Sequence, residues 1–187
     1  GGRRPGHAND VWSSFDGQTW SLVTADAGWH GRYEHAAAVH AGRMGVLGGQ
    51  SGSYGESSDV WSSADGASWT LETASPGWAG RSAHTVTVAD GKLCLMGGGW
   101  ALRRDIWVSS DGVNWSLVTN APGWHGRRAH AATAFNNRLW VFGGFGEGVE
   151  TFGSYWMLRR DVWSSADGAV WQLENSGSNW TPRYSQQ

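Results

Sequence analysis

The sequence has little of several things, and each scarcity removes a class of protein. It holds one cysteine, Cys94, so no intrachain disulfide framework can staple it, and the redox compartment stays open. No run of about 18 apolar residues exists, which excludes a helical membrane span. Neither sign of charge dominates. A formal net charge of −2 gives no electrostatic reason to expect nucleic acid or an anionic membrane as partner. Leu, Ile and Lys are scarce, with Lys92 the one lysine against thirteen arginines. No secretory leader is legible. The chain starts at Gly1, without Met, in what reads as the middle of a repeat, so its true termini are expected to lie elsewhere. The compartment is left unassigned.

Glycine and tryptophan, by contrast, are abundant, at 29 and 15 residues in a chain of 187. Glycines with regularly spaced aromatics imply short strands joined by tight turns. The aromatics are periodic. Asp10, Asp59, Asp105 and Asp161 are each followed two residues later by Trp12, Trp61, Trp107 and Trp163, and eight further on by Trp20, Trp69, Trp115 and Trp171. Nine beyond those stand Trp29, Trp78, Trp124 and Trp180, and three further Arg32, Arg81, Arg127 and Arg183. In three copies a His follows the Arg by three (His35, His84, His130), and a Gly-Gly pair begins thirteen later at Gly48, Gly97 and Gly143. Each complete copy takes 39 steps from its Asp to its second Gly, and only the stretch from Gly-Gly to the next Asp changes length. This is an internal repeat.

The third copy shows what one unit builds. Asp105-Ile-Trp-Val-Ser reads as a strand. Asp111-Gly112 then predicts a type I′ hairpin turn, as do Asp16-Gly17, Asp65-Gly66 and Asp167-Gly168. Trp115-Ser-Leu-Val-Thr returns, and 120–127 connects. From His130 a strand of small residues, suited to a crowded interior, turns at Asn136-Asn137 into Leu139-Trp-Val-Phe, which ends on Gly143-Gly144. Equivalent turns fall at Ala41-Gly42 and Asp90-Gly91. Four antiparallel strands per unit cannot bury both sheet faces alone, so copies must stack. Radial stacking is a β-propeller.

The Arg-x-x-His start, the apolar strand ending in Gly-Gly, the Asp-Val-Trp strand and the closing Trp at a spacing of eight resemble kelch repeats. The resemblance covers nearly the whole chain. It implies an all-β, kelch-type propeller of four-stranded antiparallel blades, with the Arg-x-x-His strand at the central channel and the two Trp strands outermost. Residues 1–29 then form a half blade, 32–78, 81–124 and 127–180 complete blades, and 183–187 the start of another. The chain reads as one segment of a larger propeller, with a four-bladed ring as the minority reading. Ser14-Phe-Asp-Gly-Gln-Thr-Trp20 also resembles the Asp-box of sialidase-type propellers, one residue short.

Residues that recur in every copy read as architecture: the Trp pairs of each Asp strand, Arg32, Arg81, Arg127, His35, His84 and His130. The Arg is expected to stack on Trp and bind loop carbonyls, and the His to face the channel or tie backbone between blades. Function is sought where the repeat breaks, in the variable loops expected over 3–9, 50–58, 99–104 and 145–160. These stretches supply Tyr54, Trp100, Arg103, Arg104, Tyr155, Trp156 and Arg159 as the candidate partner-binding set. Arg pairs at Arg3-Arg4, Arg103-Arg104 and Arg159-Arg160 would line one rim and suit an anionic ligand, or else pair with the repeat Asp residues. No nucleophile–base pair or paired carboxylates stand apart from the repeat. Cys94 lies inside an apolar strand, unlike the crosslinked Cys of copper radical oxidases, and no sialidase Arg–Tyr–Glu set is present. The expectation is a non-catalytic binding or scaffold module with no cofactor or metal and with protein partners, in isolation or within a larger complex. Alternatives are a carbohydrate-binding or carbohydrate-active propeller, and a structural subunit of a large assembly.

Overall fold

Strands account for the regular structure. The computed structural model of the protein describes residues 8–150, 153–177 and 179, and for residues 147–150 and 153–156 the backbone alone. A hairpin of β1 (Val11–Ser13) and β2 (Ser21–Thr24) comes first. A first four-stranded sheet follows: β3 (Ala36–His40), β4 (Arg43–Ser51), β5 (Gly55–Ser63) and β6 (Thr70–Thr73). The second holds β7 (Thr85–Ala89), β8 (Lys92–Gly98), β9 (Arg103–Ser109) and β10 (Ser116–Thr119). In the third, β12 (Ala131–Phe135), β13 (Arg138–Glu150), β14 (Gly153–Ser165) and β15 (Gln172–Asn175) are joined by the two-residue β11 (Arg127–Arg128). Every pairing is antiparallel and between chain neighbours, apart from the added contact of β11 with β13. Among the described residues no helix is long and apolar enough to cross a membrane.

The core lies between sheets. Side chains alternate along a strand, so in β8 Leu95 joins Leu47 and Val60 of the first sheet, while Cys94 and Met96 join Leu139 and Val141 of the third. Trp78, in the connection leaving the first sheet, meets Trp115 edge-on at 6.0 Å, and Trp124 meets Trp171 in the same way. Each buried aliphatic or aromatic side chain contributes roughly 1.5–3 kcal/mol. The first strands β3, β7 and β12 adjoin one another from sheet to sheet. Backbone bonds continue this contact at their entry ends: Ala83 donates to Glu34 O at 2.8 Å and Ala129 to Ala83 O at 2.7 Å.

The Gly-Gly pairs are required by close approach as well as by backbone angle. A Cβ on Gly98 would lie 2.4 Å from His84 Cβ, and one on Gly97 would lie 3.0 Å from the His130 ring of the next sheet. Both glycines have positive φ, which costs other residues roughly 1 kcal/mol or more.

Three sequence expectations need correction. The Asp-Gly turns are not type I′, because only their Gly has positive φ. Instead the Asp111 carboxylate accepts the backbone N–H of Val113 and Asn114, and Ser109 Oγ accepts that of Gly112, giving a wider, side-chain-capped loop. The type I′ geometry falls at Ala41-Gly42, Asp90-Gly91 and Asn136-Asn137, where both residues have positive φ. Second, most of 145–160 is not a loop: β13 and β14 run on as a long hairpin, with Phe145 opposite Leu158. Likewise 50–58 closes as a tight continuation of β4 and β5, with Ser51 opposite Gly55. Third, the small-residue strands are not crowded throughout, since β12 ends in exposed residues, Phe135 among them. Residues 3–7, Trp180 and 183–187 lie outside the described residues.

Candidate functional site

The repeat Arg and Asp residues are spent on the scaffold. Arg81 is fully buried and forms a bidentate pair with Asp105 at 2.8 Å and 2.8 Å, while donating to Gly97 O and Ala79 O. Arg32–Asp59 and Arg127–Asp161 repeat the arrangement. The guanidinium lies 5.6 Å from the Trp78 ring in one copy and 5.4 Å from Trp124 in another. The indole N–H of Trp61, Trp107 and Trp163 donates to the same carboxylates. Burial alone would raise the pKa of Asp59, Asp105 and Asp161. The Arg hydrogen bonds and charge outweigh it and hold all three below the usual carboxylate value. The expected Trp stacking and carbonyl bonds are present, and the bidentate Asp is the partner that sequence reasoning missed.

His84 and His130 are buried. Burial pushes His130 down to about 3 and His35 down to about 4, and pushes His84 well below its ordinary value. His130 Nε2 shares a 2.9 Å hydrogen bond with Thr85 Oγ1 of the preceding sheet. In the first repeat Ala36 stands where Thr85 does, and among the described residues neither ring nitrogen of His84 has a hydrogen-bond partner. Cys94 is buried, and burial raises its thiol to about 11. Among the described residues no group of three or more His, Cys, Asp or Glu could hold a metal ion.

Two of the variable stretches, 50–58 and 99–104, meet near the start of the first strands, with Trp100 between them. Its ring is 60 % exposed as a residue, yet it is fixed from several directions. The backbone N–H donates to Glu56 Oε1 at 3.1 Å and the indole N–H to Gln50 Oε1 at 3.2 Å. Arg128 lies beneath the ring at 4.1 Å from its centroid. That guanidinium is buried and reaches Glu34 Oε2 at 2.6 Å, linking the first and third repeats. Glu56 Oε1 also accepts from Ser82 N and Oγ, at 3.0 and 2.9 Å. The indole is thus held by residues of the first and third sheets while Trp100 stays open to solvent. Such a rigid aromatic can stack or bury apolar ligand surface at low entropic cost.

The other expected residues are distributed around this centre. Tyr54, at the tip of the β4–β5 hairpin, is 71 % exposed and stacks on His30 at 4.2 Å. Arg103 is half-buried and donates to Gly80 O at 3.3 Å. Arg104 is exposed and Arg159 half-buried. Among the described residues the pairs at 103–104 and 159–160 do not form a double row, because adjacent strand residues point to opposite faces: Arg103 and Arg159 are half-buried, Arg104 and Arg160 exposed. Nor do they occupy the repeat Asp residues, whose bidentate partners are Arg32, Arg81 and Arg127. Tyr155 and Trp156 lie in β14, opposite Gly148 and Glu147, and their side chains fall outside the described residues.

Glu34, Gln50, Glu56, Ser82 and Arg128 were not singled out from the sequence. A signal existed for two of them. Glu34 stands where the other copies have Ala83 and Ala129, and Arg128 where they have Tyr33 and Ser82. They break the pattern inside the most regular segment, where departures are easily passed over.

No protein-family model matches the chain, and no curated protein matches it. Among solved structures it is similar to one titled "Structure of YjhT", with a TM-score of 0.70 and 16% sequence identity over 92% of this chain. The chain spans 60% of the length of that structure. At this identity the likeness concerns the fold alone: an all-β chain of antiparallel four-stranded sheets.

Proposed function

We propose that the chain is a segment of a kelch-type β-propeller acting as a non-catalytic binding module, with the loop face around Trp100 as its contact surface. Stacked four-stranded sheets with adjoining first strands support the architecture. The observation that carries the function is the fixed, exposed Trp100, held by Gln50, Glu56 and Arg128 from different repeats. A scaffold alone has no use for an indole held rigid in solvent. Tyr54, at the tip of the hairpin that carries Gln50 and Glu56, is a second exposed aromatic, and Trp and Tyr are residue types that concentrate binding energy. The recurring Arg, Asp and His residues take no chemical role in this reading, being buried in the scaffold.

A protein partner suits an open surface of aromatic and guanidinium groups better than a small metabolite does. Partner capture with the wild-type chain and with Trp100→Ala tests the reading. The wild type retains a protein that Trp100→Ala loses, while the variant, short of the Gln50 hydrogen bond and the Arg128 contact, stays folded and melts only about 3–6 °C lower. Capture unaffected by the substitution removes the site from this face. Binding on a glycan array, lost in Trp100→Ala, would replace the protein partner with a carbohydrate.

A further inference from the structure

On the turn face a cleft separates the first sheet from the second, and another the second from the third. Residues at equivalent repeat positions line both, yet the first encloses about 100 Å³ and the second about 500 Å³. Four positions account for the difference. His40 of the first cleft reaches across to Gly91 O at 2.8 Å, and its counterpart in the second is Ala89. Arg43, Ser62 and Glu72 fill the first cleft as one bonded group, Arg43 Nε donating to Ser62 Oγ and Ser62 Oγ to Glu72. Lys92, Val108 and Val118 stand in their places. The larger cleft is therefore walled by Val108 and Val118 on one side and Leu139 on the other, with Cys94 buried between them. Among the described residues no side chain gives Asn137 O, the counterpart of Gly91 O, the hydrogen bond that His40 supplies in the first cleft.

The charges differ as well. Asp90 stands where the first cleft has Ala41. Among the described residues Asp90 and Lys92 form no ion pair and no side-chain hydrogen bond. Both act on the Cys94 thiol, Asp90 raising its pKa and Lys92 lowering it, so both charges are felt inside the cleft. The other two charged groups there are already engaged. Arg138 donates to Ser164 Oγ and pairs with Glu174, and Asp167 accepts backbone N–H groups of its own loop.

We infer that the cleft between the second and third sheets binds a free amino acid with an apolar side chain. The side chain lies against Val108, Val118 and Cys94, and the carboxylate meets Lys92. The ammonium donates to Asp90 and to Asn137 O, as the imidazole of His40 donates to Gly91 O. An acid and a base left unpaired two residues apart select a zwitterion, and an apolar wall with a few placed polar groups is how small-molecule sites are built. This site is independent of the face around Trp100.

Ligand-observed NMR titration with L-phenylalanine tests it, with phenethylamine and 3-phenylpropionate as the two half-ligands. The wild-type chain is expected to bind L-phenylalanine with a Kd of roughly 1 mM or tighter, and each half-ligand about tenfold more weakly. Lys92→Met should weaken L-phenylalanine by about tenfold and leave phenethylamine unaffected, and Asp90→Asn should do the same with 3-phenylpropionate unaffected. Ala89→His restores the side chain of the first cleft and should abolish binding of all three. Val118→Glu, with the acid of Glu72, provides a second filled cleft should Ala89→His fail to fold. No binding of L-phenylalanine at about 10 mM overturns the proposal. Equal binding of the whole and both halves, unmoved by Lys92→Met and Asp90→Asn, overturns the choice of a zwitterion. Binding of L-phenylalanine that persists in a folded filled-cleft variant overturns the cleft as its site.

Discussion

Replacing Arg81 with Met would remove a buried guanidinium while keeping much of its stem. The side chain is fully buried and makes four hydrogen bonds, two to Asp105 and one each to Gly97 O and Ala79 O. The substitution leaves the Asp105 carboxylate, with side-chain exposure of 20%, without its counter-charge. Breaking a buried pair from one side costs about 3–5 kcal/mol, and two carbonyls lose a donor besides. In a chain of 187 residues that corresponds to a fall in Tm of roughly 8–16 °C. Urea denaturation of Arg81→Met, Asp105→Asn and the double variant would measure it, the double costing less than the sum because each single variant strands the other partner. Arg43→Met serves as the control. Its pair with Glu72 is long, at 3.5 Å, and exposed, so less than about 1 kcal/mol is expected. An Arg81→Met loss no larger than that of Arg43→Met would refute the claim that the Arg–Asp clamp holds each sheet.

Further outcomes follow from the same packing. Gly98→Ala should cost more than about 3 kcal/mol, because its Cβ would lie 2.4 Å from His84 Cβ. Gly42→Ala, also at positive φ but with nothing within 4 Å, should cost only about 1 kcal/mol. Comparing their urea midpoints separates crowding from backbone strain. Ala36→Thr should give His84 the hydroxyl that Thr85 gives His130 and stabilise by about 1 kcal/mol. Unchanged or lower stability would show that His84 needs no such partner. Half-buried His35 and buried His130 stay neutral in the folded chain down to about 4 and 3, while unfolded histidines protonate below about 6.5. Their contribution is complete above that value and is lost as pH falls toward the folded values. It amounts to roughly 2 kcal/mol for each between pH 6.5 and 5. The lowered Asp59, Asp105 and Asp161 act in the same sense below about pH 4. Stability flat from pH 7 to 5 would contradict this.

Much of the scaffold was legible because the repeat aligns equivalent residues. One unit read as four strands applies to all copies, and the Trp, Arg, His and Gly-Gly landmarks fall at one structural position each. Turn chemistry was less legible. Asp-Gly suits two loop geometries, and the choice depends on the Ser two residues before the Asp, whose hydroxyl caps the Gly. The extended β13–β14 hairpin is hidden because a stretch that changes length between repeats reads as a loop, whereas here the added residues pair across the hairpin as strand. At the candidate site Trp100 was legible as a departure from the repeat. Its support was not: Glu34 and Arg128 are 94 positions apart, and no local pattern announces a pair closed by stacking of sheets.

Binding through Trp100 depends on which face of the molecule meets the partner. A photo-crosslinking amino acid placed at Tyr54, on the loop face, and separately at Asn136, on the opposite turn face, would test it in the presence of the source extract. A discrete crosslinked species is expected from position 54 that disappears when Trp100→Ala is added, and none from position 136. A species formed from position 136 and absent from position 54 would contradict it.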